Sequence, residues 1–373
     1  MNRYFRTYWR SRGIVNFTSH KKHELEYVRK NKKYEDIRKI HPNYIIGIED
    51  ASEAVQLAAI EDNPYLIYWF ENPSEAVQLA AVKHNGNLIY YIKNPSDDIK
   101  FAAIKTHPES IQHVENPSEA MQLAAVQKNP FAIRYIKNPS EGMQLAAVQR
   151  DGYAIQNIEN PSEAVQHAAV KRHYESIQYV KKPSEELQLV AVKKQPYSIE
   201  HIKNPSEAVL LAAVKQDGRV IEYIKNPSEA VQLAAVKQDG IVIKYIKNPS
   251  EVVQLAAVKQ DGYAVKYIKN SSEEIKFAAI NGTPRSIMYI KNPTEAMQLA
   301  AVKQDGRVIE YIKNPSEAVQ LAAVSEYGYS INFIRKPSEA VQLAAIKQDN
   351  EAIEFIKQPT KRAKELHYKL WVE

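Results

Sequence analysis

The chain contains no cysteine. No disulfide can hold it together and no thiolate can ligate a metal, which suits a reducing compartment. Long apolar runs are missing too. No stretch is long enough to span a bilayer and no signal-peptide core follows the initial Met, so a soluble, cytoplasmic protein without a membrane span is expected. Glycine-rich phosphate loops are absent, because the Asp-Gly pairs stand singly. The ten histidines form no ligand set. His107 and His113, like His167 and His173, are six residues apart and fall on different predicted helices, with no cysteine or acidic cluster beside them. Nothing here marks an enzyme, a cofactor site or a small-molecule substrate.

An excess of one charge is lacking over most of the chain. Residues 1–49 carry 12 Lys or Arg against 5 Asp or Glu. That surplus of 7 exceeds the whole chain's +6, so the remainder sits at about −1 and reads as solvated mixed charge.

What is present is a period. The segment from Asn226 to Lys247, NPSEAVQLAAVKQDGIVIKYIK, recurs every 22 residues from residue 50 to residue 357 without insertion or deletion. Those 308 residues make 14 units. The proline of Pro227 returns at Pro73, Pro117, Pro161, Pro205, Pro249 and Pro315, among others, while Ala51 and Ser271 break the column. A fixed short period means that each unit buries its apolar side against its neighbours. The expected fold is therefore all-α: a superhelical α-solenoid of about 14 two-helix repeats (residues 50–357), between a basic N-terminal cap with a degenerate leading repeat (1–49) and a C-terminal capping helix (358–373). Leucine-rich repeats need a period-two alternation that LAAV beside Gln and Lys does not supply.

Positions are counted from 1 at Asn226 to 22 at Lys247. Asn226 suits an N-cap, Pro227 the first helical position, and Glu229 can reach back to the cap amide. A first helix of about 12 residues follows, then a left-handed stop at Asp239-Gly240, then a second helix of about seven residues, IVIKYIK. Five repeats carry proline in place of that glycine, as at Pro64 and Pro130. Apolar positions 5, 6, 8, 9, 10 and 11 surround most of the first helix and predict an interior one. On the second helix positions 17, 18 and 21 point one way, and 16, 19 and 20 the other, which makes it the outer helix.

Four columns are candidates for function. Gln at position 7 (Gln78, Gln122, Gln232 and others) would either bridge neighbouring repeats or line a concave surface. Position 20 is aromatic in most repeats, with His113 and His201 as substitutes, and reads as a packing ladder. Positions 16 and 19 vary while their neighbours repeat. They offer Tyr65, Tyr68, Phe131, Arg134, Tyr153, Tyr197, Arg219, Tyr263, Arg307 and Tyr329. Variable Tyr and Arg on a repetitive scaffold predict contacts with another protein, and drift at exposed positions would give the same variation. A separate candidate is the arm of residues 1–27, where Arg3, Arg6, Arg10 and Arg12 alternate with aromatic residues. It would cap the first repeat, contact nucleic acid or an acidic membrane surface, or stay disordered. A third possibility is self-assembly through an incompletely capped end.

The string NPSEAVQLAAVKQDG resembles a short helical repeat of unknown function found in tandem in proteins of giant DNA viruses and in some bacteria and protists. There, similar strings are followed by a helix ending in YIK. The resemblance covers residues 50–357. It implies a viral or host-directed setting and carries over no catalytic residue, cofactor or partner.

Overall fold

A computed structural model describes residues 52–70 and 72–372 of the chain. Among them, fifteen α-helices alternate with fourteen 3₁₀ helices, and there is no strand. The fold is an all-α solenoid of 22-residue repeats. The chain divides into two compact units, one ending at Lys181 and one beginning at Lys182. That boundary is in register, because Lys182 is position 1 of a repeat. Six repeats fall in the first unit and eight, with a terminal helix, in the second. Inside each unit consecutive α-helices pack on one another and consecutive 3₁₀ helices do the same, giving one layer of each.

The repeat beginning at Asn226 shows why the chain folds this way. Asn226 takes a left-handed φ of 49°, and nine asparagines at position 1 share that conformation. Asparagine tolerates it because its short polar side chain avoids most of the steric cost. The chain then runs extended through Pro227 and Ser228, and the α-helix spans Glu229–Gln238. This corrects the expected start. Ser228 is the N-cap and its Oγ accepts the Val231 amide at 3.3 Å, whereas Pro227 lies outside the helix. A left-handed residue ahead of proline cannot begin a helix, so capping passes to the next side chain with an oxygen in reach. Glu229 does not close a capping box either. Its carboxylate accepts the hydroxyl of Ser250, the N-cap of the following repeat.

The same link joins Ser96 to Glu75 at 2.5 Å and Ser228 to Glu207 at 2.7 Å. It also joins Ser162 to Glu141, Ser206 to Glu185, Ser316 to Glu295 and Ser338 to Glu317. Each of these serines accepts from its own helix and donates to the repeat before it.

The α-helix is ten residues long rather than about 12, and Asp239 ends it in extended backbone (φ −148°, ψ 110°). Asp239 then caps the second element, since its carboxylate accepts the Ile241 amide at 2.9 Å. Gly240 is therefore no left-handed stop. It is the first residue of the 3₁₀ helix Gly240–Tyr245, and it is buried. A Cβ built there would lie 2.4 Å from the Ala257 carbonyl oxygen of the next repeat. The glycine at this position serves close approach of two backbones rather than unusual φ. Its amide donates to Gln260 Oε1, also in the next repeat, at 2.6 Å. Proline at the same position, as at Pro196, has the fixed φ that a first helical residue needs and no amide hydrogen to satisfy.

The second element is a six-residue 3₁₀ helix, not an α-helix of about seven. With three residues per turn, positions 16 and 19 fall one above the other on its outer edge, and positions 17, 18 and 21 are buried. The core comprises those three positions together with 6, 10 and 11 of the α-helix, as in Val231, Ala235, Val236, Val242, Ile243 and Ile246. The α-helix is not interior on all sides, because Ala230 at position 5 is exposed and Leu233 and Ala234 are half-buried. A two-layer stack leaves one flank of every α-helix toward solvent.

The position 7 glutamines bridge within their own repeat. Gln232 Nε2 donates to the Pro227 carbonyl at 2.9 Å, and Gln78, Gln122, Gln254 and Gln320 do likewise at 2.8–2.9 Å. Gln342 adds a link forward, accepting the Thr360 amide at 2.9 Å. Neighbouring repeats are joined from position 13 instead: Gln238 Nε2 donates to the Lys215 carbonyl at 2.9 Å, and Lys128 Nζ to that of Lys105.

The last helix, Lys361–Val372, docks by buried Ala363 and by an ion pair from Arg362 to Glu339 at 3.2 Å. Its outer side is mixed rather than uniformly charged, since Tyr368, Trp371 and Val372 are exposed beside Lys361, Lys364 and Glu365. No helix among the described residues is long and apolar enough to cross a membrane.

The glycines test this packing. Gly142 lies in the first turn of the helix Glu141–Arg150, and a methyl group added there would have only Ser140 Oγ near it, at 4.0 Å. Gly142→Ala should therefore raise stability by about 0.5–1 kcal/mol. Gly240→Ala meets backbone and should lower it by about 1–3 kcal/mol. Urea unfolding of the two variants against the parent chain measures both signs.

Candidate interaction face

The outer edges of the 3₁₀ helices carry all ten residues singled out from positions 16 and 19. Tyr65, Tyr68, Phe131, Arg134 and Tyr153 lie in the first unit, and Tyr197, Arg219, Tyr263, Arg307 and Tyr329 in the second. Arg3, Arg6, Arg10 and Arg12 lie outside the described residues.

Positions 16 and 20, which differ so much in variability, form one device. The ring at position 16 of a repeat meets the ring at position 20 of the next, edge to face. Tyr153 meets Tyr179 with centroids 6.4 Å apart, Tyr197 meets Tyr223 at 5.9 Å, Tyr263 meets Tyr289 at 5.9 Å and Tyr329 meets Phe355 at 5.2 Å. Interplanar angles of 75–84° are those preferred by aromatic quadrupoles. Each aromatic side chain is thus partly covered by its neighbour and partly open.

Position 16 also bonds to position 14 of the following repeat. Asn85 Nδ2 donates to the Tyr65 hydroxyl at 3.4 Å, Asn129 Nδ2 to Glu109 at 2.5 Å, and the Tyr197 hydroxyl to Asp217 at 3.3 Å. Arg285 lies 3.8 Å from Asp305, and Tyr153 stacks on His173 with centroids 4.8 Å apart. Several position 16 side chains are therefore tied to the next repeat as well as facing outward. Arg219 and Arg307 turn to the aspartate of their own repeat, Asp217 and Asp305, each through two hydrogen bonds of 2.7–3.2 Å. Those hydrogen-bonded guanidiniums hold both carboxyls below the usual carboxylate range.

Position 19 is freer. Arg134 Nε donates to the Phe131 carbonyl at 3.0 Å and its guanidinium lies 5.6 Å from the Tyr135 ring. Lys244 and Lys266 lie over the rings of Tyr245 (4.7 Å) and Tyr289 (5.2 Å). These cations rest on aromatic faces with their other sides in water. His113, in the aromatic column, meets Tyr90 edge to face at 5.1 Å, and burial lowers its pKa. It packs as the tyrosines do.

The edge of the second unit holds a local hollow between its later repeats. A groove of about 300 Å³ is lined by Arg285, Arg307, Tyr327, Tyr329, Phe333 and Phe355, with Glu310 and Asn332. Among the described residues no group of three or more His, Cys, Asp or Glu could hold a metal ion. What the face offers is recognition chemistry: rings, amides and guanidiniums held at repeat spacing. No protein-family model, curated protein or solved structure matches the chain.

The pairing of positions 16, 14 and 20 was not legible in the sequence, because Asp at position 14 follows Phe131 and Ile241 at the same offset as it follows Tyr197 and Arg285.

The Tyr329 hydroxyl donates to Glu351 at 2.8 Å, and that bond pushes its pKa up to about 12. A tyrosine whose folded pKa is raised stabilises the fold fully below its ordinary pKa near 10 and loses that contribution as pH rises toward 12. In an alkaline titration followed by NMR of labelled tyrosine, the Tyr329 resonance should shift last, and Glu351→Gln should move its midpoint back toward 10. Titration of Tyr329 near 10 in the parent chain would disprove the bond.

Proposed function

We propose that this chain is a non-enzymatic repeat scaffold that binds another protein with the outer edge of its 3₁₀ helices. The supporting observation is the division of labour inside each repeat. Positions 3, 4, 6, 10, 11, 17 and 18 are spent on the stack, while positions 16, 19 and 20 hold half-open tyrosines and ring-borne cations. Tyr supplies large contact area with little side-chain entropy to lose, and Tyr and Arg are both enriched among the residues that dominate the energetics of known interfaces. A backbone fixed by neighbour-to-neighbour bonds presents them without reorganisation.

A second role, self-association, is favoured by the terminal helix. Tyr368, Trp371 and Val372 follow the i, i+3, i+4 spacing of one helical face, and all three are exposed. In this scheme two chains meet along that face.

The scaffold role is checked at position 19, whose side chains can be altered with little effect on packing. A partner captured on the parent chain and identified by mass spectrometry should be lost or weakened at least tenfold by the combined change Arg134→Glu, Lys244→Glu and Lys266→Glu, with an unchanged unfolding midpoint. Undiminished capture by the variant would remove the face from consideration. For self-association, sedimentation at several concentrations should show a dimer that Trp371→Ser dissociates. A concentration-independent monomer rejects it.

A further inference from the structure

We propose that the outer face of the first two described repeats docks an uncharged, proline-rich segment of a partner protein, an assignment that rests on the scaffold role and specifies its ligand. Position 19 is a tyrosine in these two repeats alone, as Tyr68 and Tyr90; in the other twelve it is Gln, Arg, Glu, Lys, Met or Asn. The consequence is a continuous aromatic surface. Tyr68 meets Trp69 with centroids 4.9 Å apart, Tyr68 meets Tyr91 at 5.3 Å, and Tyr90 meets Tyr91 at 5.2 Å. Tyr65 at position 16 is 56% exposed against 36% for Tyr263, Trp69 at position 20 is 52% exposed against 37–43% for Tyr179 to Tyr311, and Tyr68 and Tyr90 at position 19 are 51% and 66% exposed, with Tyr91 half-buried between them. A patch of rings this open marks an interaction site.

Three features select the occupant. The first is charge. Positions 14, 15, 16, 19 and 20 of the two repeats read Asn63, Pro64, Tyr65, Tyr68, Trp69 and Asn85, Gly86, Asn87, Tyr90, Tyr91, with no ionisable acid or base among them other than phenols. An acidic segment would be desolvated there without an ion pair in return, and the lining offers no carboxylate to fix a basic one, so an uncharged segment is the complementary ligand.

The second is ring orientation. Consecutive planes stand at 79–84° to each other. Perpendicular rings enclose notches that accept a pyrrolidine ring, and they do not form the coplanar platform on which a sugar would lie. The third is pitch. A polyproline II helix turns once in three residues of about 3.1 Å rise, so equivalent side chains recur about every 9 Å. Helical repeats stack about 8–10 Å apart, so the Tyr68 and Tyr90 notches match successive turns. Such a chain leaves its carbonyls unbonded, and phenol and indole donors suit them.

The test uses the full chain carrying Trp9→Phe and Trp371→Phe, which leaves Trp69 as the sole indole reporter. Decaproline should shift Trp69 fluorescence saturably. By calorimetry, Tyr90→Ala and Trp69→Ala should each weaken it at least tenfold, while Tyr90→Phe, which keeps the ring, loses only the phenol donor and guards against misfolding, should weaken it less than Tyr90→Ala does. Absence of saturable decaproline binding, equal affinity in the alanine variants, or binding of cellohexaose in its place would overturn the assignment. Because partner capture is scored with the position 19 cations of other repeats, capture that persists without decaproline binding would sink this inference and leave the scaffold role standing.

Discussion

The structure depends on how closely one repeat can approach the next. Ala235 is fully buried, and in the glycine-bearing repeats the approach is closest: the Ala257 carbonyl oxygen lies 2.4 Å from where a Cβ on Gly240 would stand, while other repeats place proline at that position. At that separation the polar groups of one repeat come within reach of its neighbour. The Ser250 hydroxyl finds Glu229, the Gly240 amide finds Gln260, and Gln238 finds the Lys215 carbonyl. Dispersion and apolar burial supply the attraction, and these bonds satisfy the helix ends that so short a unit would leave open.

Short elements make that satisfaction necessary. A ten-residue α-helix and a six-residue 3₁₀ helix are too short to be stable alone, and a large share of their backbone groups lie at termini. The serine N-caps, the aspartate caps of the 3₁₀ helices and the glutamine returning to the proline carbonyl occupy those groups one after another. The repeats thereby hold one another in register, and the outer edge inherits the same spacing. Rings at positions 16 and 20 interlock because the stack sets them one repeat apart. The same regularity lets two tyrosines at position 19 turn a mixed edge into an aromatic surface at Tyr68 and Tyr90.

Much of the fold was legible in the sequence because the period repeats the hydrophobic pattern fourteen times over. The helical class, the in-register units and the inward set of positions 17, 18 and 21 followed from it. The element boundaries did not. Asn226, Pro227 and Glu229 form an acceptable capping sequence on local rules, and the structure uses Ser228 instead because Asn226 is left-handed. Asp239-Gly240 has the composition of a helix stop, yet its glycine answers to Ala257 in another repeat. At the candidate face, the exposure of Tyr65 and Tyr68 was foreseen, while the engagement of Arg219 with Asp217 and of Tyr197 with Tyr223 was not.

By itself, then, the sequence determined periodicity, helical character and which side chains are apolar, since all three are properties of residues a few positions apart. Only the tertiary structure decided that the second element is a 3₁₀ helix, that the position 4 glutamate serves the following repeat, and that positions 16 and 20 of adjacent repeats meet. Those outcomes depend on groups about 20 residues apart, brought together by close packing, and no local propensity encodes the distance at which two backbones come to rest.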